Sequence, residues 1–554
     1  MLMKKKLAKI LKDTLDLCFR KGFLKQMPIP EFVVEVPNNP DHGHFATNVP
    51  MTLAGEQKSS PRNIAEIIIR HLVDHDHFIL KAGIGGTGFI NFFIAPGQWY
   101  DLLSHIINLR DDYGRSSIGR GEKIMVEFVS ANPTGPLHLG HGRGAALGDT
   151  LCRVLDFSGY DVKREFYIND AGHQIKMLGE SIYSRWKQFP DPSYPFPLDG
   201  YQGDYIQELA VEIAKETQLE SLAPHEAIDL LSELGKDKIL KEIKEDLANF
   251  GVTFDLWYKE SDLYSSGKID RAIKLIEKRG MLFEKDGASW IRTSLFGDDK
   301  DRVVRKKDGE FTYFASDISY HLDKWKRGFK RVINIWGADH HGYITRVKAA
   351  LEAEGIQQDW LEVLLIQLVK LWERGAEVRM SKRSGRYVTL KELVDQVGVD
   401  AVRFVFLSKD HTSPLDFHID LVKRKDSENP VYYVQYAHAR VCSVFKKAAR
   451  ENIHLPEEPD SILLRLVLDE EIDLIRKMAE FPSLIEEIAG DLGPHRLTYY
   501  LTELAGSFHR YYNRHRIVSD DRTLSQARLF LSLGIKILIK NGLSLLGVSA
   551  PEVM

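Results

Sequence analysis

The sequence predicts a multidomain protein built on an α/β doubly wound (Rossmann-type) domain with an inserted helical subdomain, an N-terminal α+β domain before it and a C-terminal all-α bundle after it. Three observations lead there. A chain of 554 residues is too long for one hydrophobic core. Through its middle, short apolar runs alternate with stretches of helical periodicity, the pattern of parallel strands and crossover helices. From Asp426 onward the strand-like runs stop and helical periodicity continues to the end.

The first residues, Met1 to Phe23, are basic, with apolar positions at Leu7, Ile10, Leu11, Leu15 and Cys18. Asp13 and Asp16 interrupt any apolar core, so this is an amphipathic first helix and not a signal peptide. Pro61 to Leu80 has the proline start and the Ile64, Ile67, Ile68, Leu72 spacing of a helix, and Gly88 to Ile94 reads as a strand. Gly83 to Gly88 spells the dinucleotide fingerprint G-x-G-x-x-G, but a strand follows where a helix should open, so these are turn glycines. The polar, glycine-rich stretch Gly114 to Gly121 closes a first domain at about residue 112.

The central domain is expected over 113–425. Lys123 to Val129, Arg331 to Trp336 and Val363 to Val369 are its strand-like runs. An insertion is expected at about 171–280, because Asp204 to Phe250 is charged and helically spaced. The bundle, 426–554, starts at Asn429-Pro430 and continues through Leu463 to Leu468, Leu497 to Leu504 and Leu529 to Leu546.

Lys and Arg number 75 against 79 Asp and Glu, a formal net charge of −4. No global attraction to a polyanion follows, and any nucleic-acid contact must rest on local patches such as Arg302 to Lys307, Lys324 to Arg331, Arg379 to Arg386 and Lys423 to Lys425. Most basic runs are simply solvated faces. The three cysteines, Cys18, Cys152 and Cys442, form no C-x-x-C pair, which excludes a thiolate zinc site and a disulfide framework and fits a reducing compartment. No uncharged apolar run is long enough to span a membrane.

The most informative segment is Ser130-Ala131-Asn132-Pro133-Thr134-Gly135-Pro136-Leu137-His138-Leu139-Gly140-His141, placed where a buried strand turns into a Gly/Ala-rich helix start. Backbone N–H groups at such a start favour anions, and two imidazoles there can donate to phosphate oxygens as charge shifts in a transition state. Downstream stands Val378-Arg379-Met380-Ser381-Lys382-Arg383-Ser384-Gly385-Arg386. Together the two segments resemble the H-I-G-H and K-M-S-K-S motifs of class I aminoacyl-tRNA synthetases. The words S-A-N-P-T-G-P-L-H-L-G-H and W-G-A-D-H-H-G-Y (Trp336 to Tyr343) are similar to arginyl-tRNA synthetases in particular, and the resemblance spans essentially the whole chain. Arg379 and Arg383 depart from the second motif, where the family has Lys and Ser, while the central Lys382 is kept.

That resemblance implies an arginine–tRNA ligase: ATP-dependent activation of L-arginine to arginyl-adenylate, then transfer to the 2′-hydroxyl of the 3′-terminal adenosine of tRNA(Arg). His138, His141 and Lys382 take the catalytic positions. Gly140, Gly142, Gly144, Met380, Ser381 and His340 are assigned to ATP, which brings Mg²⁺ with it. Asp317 and Tyr313 are assigned to the guanidinium, with Glu127 as a second acid, Ser130 and Asn132 at the substrate backbone and Asp339 beside it; a buried guanidinium demands carboxylate partners. Residues 1–112 correspond to the family's tRNA-corner domain, with Asn91 at the D-loop, and 426–554 to its anticodon-binding domain. There Tyr433, Tyr436, Phe508, Tyr511 and Tyr512 are available for stacking bases, Arg440 for phosphate, and the terminal Met554 lies at the anticodon. At least half of these aromatics are expected in the core. The family also implies that tRNA must bind before arginine is activated. Asp339, His340 and His341 do not form a metal set, because adjacent histidines rarely present both rings to one ion; no metal site is assigned. A monomer in the cytoplasm, bound to no membrane, is expected. Two alternatives stay open: a class I synthetase for another amino acid, or a catalytically inactive tRNA-binding paralogue.

Overall fold

A computed structural model describes residues 2–37, 39–378, 388–457 and 459–554. Helix α1 (Leu2–Arg20) buries Leu7, Leu11, Leu15 and Cys18, one face at three-to-four spacing. With α2 (Val49–Gln57) and α3 (Pro61–Arg70) it lies against an antiparallel sheet of order β1-β2-β4-β3, formed by β1 (Val34–Glu35), β2 (Phe45–Thr47), β3 (Ile79–Gly85) and β4 (Phe89–Ile94). Helix α3 stops at Arg70, ten residues short of the expected end at Leu80. The Asp74 carboxylate accepts from Phe78 N at 2.9 Å and Ile79 N at 2.7 Å, a local alternative that competes with the helix. Gly83 to Gly85 belong to β3, and the turn into β4 follows, so the fingerprint reading fails as expected.

Helix α4 (Pro96–Leu109) leaves this unit and packs on the C-terminal bundle. Tyr113 Oη donates to Met478 O at 3.1 Å and Asn541 Nδ2 to Arg110 O at 2.9 Å. The first and last domains therefore share one apolar core.

The central sheet has five parallel strands in the order β12-β11-β5-β6-β7: β5 (Lys123–Glu127), β6 (Asp161–Ile168), β7 (Leu256–Lys259), β11 (Arg331–Gly337) and β12 (Leu361–Ile366). The order reverses between β5 and β11, so a crevice opens at their C-terminal ends, where doubly wound sheets take ligands. Helix α5 (Leu139–Phe157) crosses from β5 to β6 very close to the sheet; a Cβ on Gly148 would fall 2.2 Å from Phe128. Between β6 and β7 run the inserted helices α6 (His173–Lys187), α7 (Asp204–Glu216) and α8 (Pro224–Asn249). Strand β7, assigned to the insertion on sequence, is instead the edge of the sheet; four residues are too few to show a periodicity.

After β7 come α9 (Ser261–Ser265), α10 (Lys268–Lys278) and a small antiparallel sheet of β8 (Leu282–Lys285), β9 (Ala288–Ile291) and β10 (Arg302–Arg305). Helices α11 (Tyr313–Lys326) and α12 (His341–Ala353) flank β11. The run Val363 to Val369 divides between two sheets, because β13 (Val369–Glu373) pairs with β14 (Ala376–Glu377) and β15 (Leu415–His418). The break is at Gln367, whose N–H goes to His411 O at 2.9 Å and whose carbonyl accepts from Arg143 Nη1 at 2.9 Å.

Helices α13 (Leu390–Val397), α14 (Val399–Phe406) and α15 (Ile419–Val422) lead to the bundle of α16 (Pro430–Arg450), α17 (Asp460–Leu463), α18 (Asp469–Asp491), α19 (His495–Arg514) and α20 (Arg522–Leu546). The expected helical run Leu463 to Leu468 is mostly loop, with Leu464 and Val467 exposed. Arg403 joins bundle to sheet. Its fully buried guanidinium meets Asp149 Oδ2 of α5 at 2.6 Å, Leu546 O at 2.9 Å and Phe250 O at 3.1 Å. No described helix is long and apolar enough to cross a membrane.

Candidate active site

The crevice between β5 and β11 is a cleft of about 1600 Å³, lined by Ser130, Asn132, His138, Gly140, His141, Gly144, Tyr167, Asp317, Asp339, His340 and Tyr343 among others. That volume holds an amino acid and a nucleotide together. At one side His138 is the N-cap of α5: its Nδ1 accepts from Gly140 N at 3.1 Å and His141 N at 3.3 Å. In return His141 Nδ1 accepts from His138 N at 3.3 Å, so the two rings form a reciprocal capping box and stack at 3.6 Å. The consequence is chemical. Accepting at Nδ1 puts each neutral ring's proton on Nε2, where it is a donor for an oxyanion. The rings thus add donors to a helix terminus that already favours anions.

Gly142 does not line the cleft. A Cβ there would meet Leu390 at 2.6 Å and Phe406 at 3.0 Å, so this glycine serves packing against α13 and α14, while Gly140 and Gly144 remain at the cleft. Met380, Ser381 and Lys382 lie outside the described residues. Thr389 pairs with His138 in an isolated antiparallel bridge.

Past β5 the backbone is strained. Val129 (φ 68°) and Ser130 (φ 38°) both occupy the left-handed region, at a cost of about 1–3 kcal/mol each. Ser130 Oγ donates to Glu127 Oε1 at 2.9 Å and accepts from Tyr167 N at 3.1 Å. Glu127 lines the cleft with its Oε2 held by the buried Lys324 Nζ at 2.5 Å, so a guanidinium there would share that carboxylate with an ammonium.

On α11, Asp317 is bonded to the Tyr343 hydroxyl. Tyr313, expected beside Asp317, is 60% exposed at the helix start and does not line the cleft; Tyr343 stands in its place. Behind Asp317 lies a second acid that the sequence did not flag, Glu260, 3% exposed just past β7. Burial pushes the Asp317 carboxyl up to about 6, with Tyr343 opposing and the charge of Glu127 adding. Burial, then the charge of Asp317, pushes Glu260 up to about 7. Asp317 is half-buried in the cleft lining, while Glu260 is buried near it and outside that lining.

The sign of the pH dependence follows. A guanidinium needs an ionised partner, so kcat/KM for the cationic substrate rises as pH passes through about 6 and then levels, and binding releases a proton. The kcat/KM for the nucleotide lacks that rise. A flat profile for the cation across this window would remove Asp317 from the site.

Asp339 and His340 sit at the cleft rim, with side chains 84% and 58% exposed. The insertion also reaches the cleft, through Leu198, Tyr201 and Tyr205, whose hydroxyl donates to Thr134 O at 2.7 Å. Lys324 had been read only as part of a basic run. The signal that finds it is helical: Asp317, Tyr320, His321 and Lys324 share one face of α11 at spacings of three and four.

Three family models cover nearly the entire chain: the arginyl tRNA synthetase N terminal domain over residues 2–94, the catalytic domain of tRNA synthetases class I (R) over 103–413, and the DALR anticodon binding domain over 434–554. The arginine–tRNA ligase of Desulfosudis oleivorans is 49% identical over 556 residues, covering 100% of both chains. The chain belongs to the arginyl-tRNA synthetase family. The arginine–tRNA ligase of Aquifex aeolicus is 45% identical, again over 100% of both chains. The solved Thermus thermophilus arginyl-tRNA synthetase matches with a TM-score of 0.76 at 22% identity over 100% of both chains, a likeness of fold.

In this synthetase Asn91 lies on β4, an inner strand of the first sheet. Phe89 and Phe93 share its half-exposed face, while Ile90 and Phe92 point into the core. Ala46 and Gly83 stand opposite, so small residues keep the surface around the amide open. In the bundle, Arg440 lies 4.6 Å from the Tyr436 ring and 4.7 Å from the Tyr512 ring, and donates to His509 Nδ1 at 3.0 Å. Phe508 and Tyr511 are buried and cannot stack on a base: helical spacing identifies a face, not its direction. Met554 is 45% exposed at the chain's end, which the His438 bond to Pro551 O holds against α16 at 2.9 Å.

Proposed function

We propose that the cleft activates L-arginine with ATP and passes the arginyl group to tRNA(Arg). The observation that carries this reading is the Asp317 carboxyl lining the same cleft as the stacked histidines. Arginine's guanidinium lies on Asp317, and Ser130 and Asn132 hold its α-amino and carboxylate end. The carboxylate attacks the ATP α-phosphate, forming the mixed anhydride and releasing pyrophosphate. His138 and His141 donate from Nε2 to phosphate oxygens as that charge develops, with Lys382 on the pyrophosphate alongside Met380 and Ser381. The 2′-hydroxyl of the terminal adenosine then attacks the anhydride carbonyl, and AMP leaves. Among the described residues no three His, Cys, Asp or Glu side chains gather as for a metal ion. Bound with ATP, Mg²⁺ would offset the charge of the phosphates. The enzyme works as a cytoplasmic monomer.

The tRNA is held at both ends of the molecule, by residues 1–112 through Asn91 and by the bundle through Tyr436, Arg440, Tyr512 and Met554. Its binding completes the active site. Arginine-dependent pyrophosphate exchange is therefore absent without tRNA and appears on adding it. Asn91→Ala raises the KM for tRNA about tenfold, one lost base contact, while the KM for ATP stays unchanged. Full exchange in tRNA-free enzyme would refute the coupling, and unaltered charging by Asn91→Ala would leave that residue a purely structural one.

A further inference from the structure

Lys324 is a cation buried within a site built to receive a cation. It is fully buried, and its charge is engaged on every side. Nζ donates to Glu127 Oε2 at 2.5 Å and to Asn334 Oδ1 at 3.0 Å, and lies 4.2 Å from the Tyr320 ring centre. It therefore cannot serve as a ligand for the anionic phosphates, and it does not line the cleft.

Its neighbours form an unbroken chain of hydrogen bonds. On one side Glu127 Oε1 accepts from Ser130 Oγ at 2.9 Å, which holds the residue of the strained turn at the substrate's α-amino end. On the other side Asn334 Nδ2 donates to His321 Nε2 at 3.0 Å, and His321 Nδ1 donates to Asp317 O at 2.8 Å. Each member has one consistent role: the bond from Asn334 makes Nε2 an acceptor, which leaves the proton on Nδ1 for the carbonyl. Burial and the Lys324 charge depress His321 to about 3, so the ring stays neutral in this role. Asn334 is also the direct neighbour of Glu127 across β5 and β11, so both strands at the switch point are tied to α11 through one ammonium.

We propose that Lys324 is a positioning residue of the amino-acid site, fixing the separation between Ser130 and Asp317 and so the side-chain length the enzyme accepts. The inference rests on the reading of this cleft as an arginine site.

The test compares arginine with homoarginine, which is one methylene longer with the same two ends, in tRNA-supported pyrophosphate exchange. A one-methylene difference is worth about 10- to 200-fold in kcat/KM in a well-fixed site. In Lys324→Met that preference falls by about tenfold or more, and the KM for arginine rises by a similar factor while the KM for ATP changes by less than about twofold. Lys324→Met/Glu127→Gln removes both charges together and so recovers the thermal stability that the single variant loses. It does not recover the preference, because nothing then spans Ser130 to Asn334. Folded variants that keep the wild-type preference for arginine would overturn the proposal and reduce Lys324 to a charge partner. Wild-type enzyme that exchanges with neither amino acid would overturn the arginine reading and this proposal with it.

Discussion

Asp317→Asn raises the KM for arginine by about 30- to 900-fold, equivalent to about 2–4 kcal/mol, and leaves the KM for ATP within about twofold. The magnitude comes from leaving a desolvated guanidinium without the full charge of its partner in the cleft. Because the amide can still accept from Tyr343, the fold is kept, and steady-state exchange kinetics give the split directly. Unchanged arginine kinetics in folded protein would place the guanidinium elsewhere.

The histidine pair carries the second large effect. His138→Ala or His141→Ala lowers kcat by about 10²–10³, the loss of one donor aimed at developing charge. The structure adds a complication and its resolution. His138 also caps α5, so its loss costs about 1 kcal/mol of stability besides. Asn is among the best N-caps, so His138→Asn regains the stability but not the rate. If His138→Asn regained both, the ring would be a helix cap and nothing more.

Much of this was legible in sequence. Strands β5 and β11 are buried between layers and announce themselves as continuous apolar runs, and the S-A-N-P-T-G-P-L-H-L-G-H segment falls where strand meets helix. The places in the fold of the two rings at α5, of Asp317 and of the Asn91 strand were legible because each lies inside a local pattern. What was missed is non-local. Glu260 follows a four-residue edge strand, and it meets the charge of Asp317 only because α11 brings that residue near it. The partner of Asp317 has the same origin: Tyr313 is its neighbour in sequence, Tyr343 its neighbour in space. The lysine paired with Glu127 is not legible locally, because it comes from an element 197 residues away. Phe508 and Gly142 were misassigned for a different reason, since a periodic pattern cannot say which face is turned inward. Helix α3 was drawn too long because the Asp74 side chain, a local competitor of the helix, outweighs its apolar spacing.

Selection of arginine falls to Asp317 in the cleft. Pyrophosphate exchange measured with each of the standard amino acids in turn, in the presence of total tRNA, tests this most directly. The expected result is exchange with arginine, lost in Asp317→Asn at arginine concentrations that saturate the wild type, and none with the others. Exchange driven by a different amino acid, or arginine exchange indifferent to Asp317, would contradict it.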